Sequence, residues 1–124
     1  MLRALLSALL LCAALVGQGV QLKADAQVLY GAAAKCSQPA SVDFCRLKKL
    51  TPEWKLIKSE GVDRGSARYD LLMEDLNKRI KRLVADAAKT AGKDCVLRKG
   101  DIENANGLTV VDLTEQIAAK LEGS

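Results

Sequence analysis

The chain has 124 residues, 19 basic and 15 acidic side chains for a formal charge of +4, and an apolar fraction of 49% with one Trp, two Tyr and one Phe. It contains no histidine, which excludes His-based triads, a histidine general base and histidine metal ligands. The length fits one domain, and the composition excludes a collagen, a coiled-coil rod and a multi-span membrane protein.

The apolar residues are concentrated at the start. Arg3 precedes a twelve-residue run over 5–16 that is apolar except for Ser7. Ala24-Asp25-Ala26 then gives a small-x-small cleavage pattern. This organisation predicts a secretory signal peptide over 1–26, with a cut after Gly19 as the alternative. The run is short for a membrane span. Leu9-Leu10-Leu11-Cys12 lacks the small residue that lipidation at Cys12 requires. One domain over 27–124 remains, about 98 residues and enough for one modest core.

Export permits disulfides. Of the four cysteines, Cys12 leaves with the signal. Cys36 and Cys45 close a small loop around Pro39 and form the expected bridge, with Cys45–Cys95 as the rival pairing. Either way one thiol is left over. Three thiols without CxxC spacing make no recognisable metal site, so neither metal nor cofactor is expected.

In the mature chain, 27–39 is alanine-rich without clear period, with strand character at Val28-Leu29-Tyr30. Alternation at Val42, Phe44 and Cys45 predicts a strand over 41–47. Thr51-Pro52-Glu53 reads as a helix start, with a capping hydroxyl, proline in the first turn and an acid behind it. Trp54 and Ile57 give that helix an apolar side, and Gly61 and Gly65 interrupt it. Tyr69, Leu72, Leu76, Ile80, Leu83 and Ala87 then step by three and four, one face of an amphipathic helix. It should run over 66–91, roughly 39 Å, and end at Gly92. That exceeds what a small globule needs, so one end is expected to project or to pack on another subunit. Strands are expected over 94–99 and 108–111, separated by the Asn106-Gly107 turn. Asp112-x-x-Glu115 has capping-box spacing before a final helix with Leu113, Ile117 and Leu121 on one face. The fold class is therefore α+β, a small β-sheet body with a long amphipathic helix or short helical hairpin and a C-terminal helix.

Charge is distributed unevenly. Residues 46–82 hold 11 basic and 6 acidic groups, whereas 100–124 hold 1 basic and 5 acidic groups. A basic stretch can meet nucleic acid, anionic lipid or an acidic protein. Export argues against nucleic acid, and no aromatics interleave the lysines as a stacking platform requires. An anionic membrane surface and an unfolded protein remain as partners, beside the plain reading of a solvated helix face. GxSxG, phosphate-loop and HExxH patterns are all missing, so the sequence reads as non-enzymatic.

Three segments carry a resemblance. These are Thr51-Pro52-Glu53 at the first helix start, 80–97 with Ala87-Ala88 and Gly92 before Cys95-Val96-Leu97, and Val111-Asp112-Leu113-Thr114 opening the last helix. In this order they resemble the Skp/OmpH family of periplasmic chaperones for outer-membrane proteins. The resemblance implies a periplasmic protein with a β-rich body, a homotrimer, and helical arms that shelter unfolded clients without ATP. Leu72, Leu76, Ile80 and Leu83 would then supply the apolar client or oligomer surface, and Lys78, Arg79, Lys81 and Arg82 the charge that attracts clients. The arms would be short, about 20 residues or roughly 30 Å. The other expectation is a non-enzymatic envelope adaptor or structural module with one fixed protein partner. The same leucines would in that case be ordinary core.

Overall fold

The computed structural model describes residues 19–123. Most of the expected signal segment, including its apolar run and Cys12, lies outside the described residues.

The architecture is α+β. Strand β1 (Gln21–Leu22) opens the described chain, followed by β2 (Val28–Gly31), a 3-10 turn at Ala33–Lys35, and β3 (Pro39–Val42). Three helices come next: α1 (Phe44–Leu50), α2 (Pro52–Glu60) and α3 (Ala67–Ala91). Strands β4 (Cys95–Arg98), β5 (Ile102–Asn104) and β6 (Val111–Asp112) lead to α4 (Thr114–Glu122). The four-stranded sheet has the order β2-β4-β3-β6. β4 runs antiparallel to β2 and parallel to β3, and β3 is also parallel to β6. Parallel neighbours need a crossover between them, and α1, α2 and α3 together supply it between β3 and β4.

α3 forms the spine because its stripe meets the sheet. Leu76, Ile80, Val84 and Ala88 are fully buried. They pack with Leu29, Ala40, Val42 and Val96 of the sheet, Leu47 of α1, and Leu113, Ile117 and Leu121 of the C-terminal segment. Ser66 caps α3 by accepting from the Tyr69 N–H at 3.1 Å. Gly92, left-handed at φ 70°, ends it, with Lys93 N–H donating to the Ala88 carbonyl at 2.8 Å. Both ends lie where the periodicity places them. The long amphipathic helix expected for the helical part is present as the 25-residue α3, and the nine-residue α2 folds back along it.

A second, smaller core lies beside the first. Val20, Cys36, Cys95 and Leu97 are buried in it, flanked by Leu22, Ile102 and Leu108. Its cover is the antiparallel pair β1–β5, with Gln21 opposite Asn104 and Leu22 opposite Ile102.

Four expectations are corrected. The strand placed over 41–47 ends at Val42, because Asp43 accepts from the Arg46 N–H at 3.2 Å and caps a helix. The expected Cys36–Cys45 bridge gives way to Cys36–Cys95, with Cα atoms 5.7 Å apart. The reason is the same: Cys45 is carried on α1, exposed and free, while parallel pairing sets Pro39 opposite Cys95 and brings Cys36 near it. The strand expected over 108–111 is confined to β6, although Asn106 and Gly107 do take the positive φ of a turn. The capping box splits. Asp112 accepts from the Thr114 N–H at 2.9 Å, but Glu115 turns away to pair with Arg46 and ties α4 to α1.

Candidate functional site

The basic middle of the chain becomes the helical hairpin. One residue sets the bend at its base. Thr51 ends α1 and starts α2, and it is fully buried. Its hydroxyl donates to the Lys48 carbonyl at 2.7 Å and accepts from the Trp54 N–H at 3.2 Å. Pro52, in the first turn, loses nothing by lacking an N–H. This bend brings Trp54 under the last turn of α1, so Lys48 Nζ lies 4.3 Å from the ring centre. Lys58, one helical turn further on, lies 4.8 Å from the same ring. Each contact is a cation–π pair, worth about 0.5–1 kcal/mol at exposed sites.

Beyond the indole, α2 ends at Gly61 in the left-handed conformation, φ 59°. The connection to α3 turns back so that Arg64 and Tyr69 close a cavity of about 380 Å³ with Lys48, Trp54 and Lys58. Asp63 is the carboxylate on its wall. Among the described residues Lys48, Lys58 and Arg64 join no ion pair. The cavity therefore has three cations to one anion, an aromatic floor and an open mouth.

The residues singled out from sequence are dispersed around α3. Leu76 and Ile80 are fully buried in the chain's own core, and Leu72 and Leu83 are half-buried. Within a single chain only the edge of this stripe faces outward. Exposed apolar surface on the hairpin comes instead from Leu71, 63% exposed, and Leu56, 37% exposed. The four basic residues also separate. Arg79 folds inward, its Nε 2.9 Å from Oε1 of the buried Glu53. That hydrogen bond holds the Arg79 guanidinium above its ordinary pKa. Lys78 pairs with Glu74 at 2.9 Å along the helix. Lys81 lines a separate cavity with Phe44 and Asn77, and Arg82 lines a charged one with Glu53 and Asp75.

Sequence reasoning counted Trp54 only as part of an apolar helix side. The available signal was a single indole with a lysine four residues ahead and another six behind. The relation to Lys48 depends on the Thr51 bend, which spacing alone does not give.

Cys36, Asp94 and Cys95 bring ligand atoms within 4.8 Å of one another, but the two sulfurs are joined in the disulfide and offer no thiolate. Asp94 serves the loop instead. Its carboxylate accepts from the Ser37 N–H at 2.9 Å and the Gln38 N–H at 2.8 Å, and the Ser37 bond leads in holding its pKa below the usual value. No helix among the described residues is long and apolar enough to cross a membrane. No family model, curated protein or solved structure matches the chain.

Proposed function

We propose that the chain is an exported, non-enzymatic envelope module that holds an acidic segment of one protein partner at the loop end of its hairpin. The carrying observation is Trp54 with Lys48 and Lys58 over its ring and Arg64 beside it, three cations without a carboxylate partner around an aromatic floor. An acidic peptide gains Coulomb attraction there and apolar contact with the indole, without having to displace an internal ion pair. Export is supported by the apolar leader, and the Cys36–Cys95 bridge is compatible with an oxidising compartment such as the periplasm.

Trp54 is the only tryptophan in the chain, so its fluorescence reports on the site directly. Titration with a glutamate-rich peptide should change the emission, and the effect should weaken as salt rises. Lys48→Glu with Lys58→Glu should reduce affinity at least tenfold while the protein stays folded, its melting temperature falling only by the several degrees that loss of the two cation–π contacts implies. An unchanged affinity would remove the proposal. A response to phosphatidylglycerol vesicles but not to peptide would move the site to the membrane surface.

The Skp/OmpH-type holdase is the second reading. Leu56 and Leu71, exposed along the hairpin, favour it as apolar surface available to unfolded clients. It requires a homotrimer by light scattering and suppression of the aggregation of a denatured outer-membrane protein. A monomer without that activity would leave the adaptor alone.

A further inference from the structure

Export would remove an N-terminal segment, and the structure bears on how much of it can go. Residues 20–26 are integrated into the fold. Val20 is 6% exposed and sits against the Cys36–Cys95 bridge and Leu97. Its N–H donates to the Ala33 carbonyl at 3.2 Å, and Lys23 N–H donates to the Asp101 carbonyl at 2.9 Å. Arg98 donates to the Asp25 carbonyl at 3.1 Å. The same Arg98 is paired with Asp101 at 2.7 Å, whose carboxylate also accepts from the Gln27 N–H at 3.1 Å. Gly19 also touches the body, its carbonyl accepting from the Asn106 side chain, but it belongs neither to β1 nor to the second core.

We infer that signal processing takes place at or before the Gly19–Val20 bond, near the small residues Gly17 and Gly19, and not after Ala26. This rests on the export reading above. Signal peptidase acts before the chain folds, so the fold does not direct the enzyme. A mature chain starting at Gln27 would nevertheless lack β1 entirely. β5 would have no partner strand, and Leu97 and the disulfide would lose their cover. The fully buried Leu97 and Cys95 require that cover, since exposing apolar side chains in a domain this small is destabilising. Gly17-Gln18-Gly19 meets the small-x-small requirement as well as Ala24-Asp25-Ala26 does.

The test is the intact mass and N-terminal sequence of the protein recovered from the periplasm of a Gram-negative host expressing the full chain. An N-terminus at Val20 or upstream, with the leader removed, supports the inference. An N-terminus at Gln27 overturns it and leaves export standing. An uncut chain retained in the cytoplasm overturns both. A second measurement compares residues 20–124 with residues 27–124 after oxidation. The shorter chain should melt at least 10 °C lower or fail to fold, and equal melting would overturn the inference independently.

Discussion

Three carboxylates hold the loops of this fold, and their titration sets its acid limit. Asp94 lies below its ordinary pKa chiefly through the hydrogen bond from the Ser37 N–H. For Asp101 and Asp112 burial acts in the opposite direction and is outweighed. Arg98 and the Gln27 N–H hold Asp101 down, and Thr114 and Lys99 hold Asp112 down. With the folded pKa depressed, the unfolded chain takes up protons first as pH falls. The stability these groups contribute is complete above the ordinary carboxylate value of about 4 and is lost as pH drops through the folded values. No histidine titrates in between. The melting temperature should stay level from about pH 7 to about pH 5 and fall below about pH 4. Asp94→Asn should flatten the acid limb, and a decline already present at pH 6 would show that other groups govern it.

At the level of elements, α3 is the part on which the rest is assembled, and its two faces differ sharply. Ile80→Asp puts an unpaired charge at a fully buried position and should prevent folding, as judged by loss of the cooperative melting transition. Leu71→Ala, nine residues earlier on the exposed side, should stay within about 0.5 kcal/mol of the parent in urea unfolding. Should the two variants behave alike, the phase of the helix would be wrong. That phase was legible from the three-and-four spacing alone, as were Ser66 and Gly92 at its ends, because periodicity and caps are local. The strand–helix boundary at Asp43 was not, since three alternating residues also fit the start of a helix. β1 and β5 were missed because two- and three-residue strands carry no period. The pocket at Trp54 escaped for a different reason: it needs three segments to meet around a bend.

For the whole molecule, the disulfide and the ion pairs act against separation of its parts. The Cys36–Cys95 bridge spans 59 residues and encloses the entire helical crossover. Constraining a loop of that length in the unfolded chain contributes about 4 kcal/mol in the chain-entropy model. Reduction should therefore lower the urea midpoint markedly, and Cys36→Ser should reproduce the effect while Cys45→Ser should not. An unchanged midpoint after reduction would indicate that the bridge does not form. The opposed charges of the middle and the end of the sequence also meet, where Arg46 of α1 pairs with Glu115 of α4, and Lys99, between the two regions, pairs with Asp112 at 3.3 Å. These pairs are exposed and contribute little singly.

The free thiol on α1 has a consequence in time. On the proposed export, a chain that crosses a membrane N-terminus first would deliver Cys36 and Cys45 to the oxidising side well before Cys95. For that interval Cys45 would be the only mature-chain thiol within reach of Cys36, and a bridge formed then would be the non-native one. The native bond then requires isomerisation once the crossover has folded and β3 and β4 have paired. Oxidative maturation should pass through a Cys36–Cys45 species that thiol trapping and peptide mapping can capture. Replacing Cys45 with serine should abolish that species and hasten formation of the Cys36–Cys95 bond; unchanged kinetics would show that the detour is never taken.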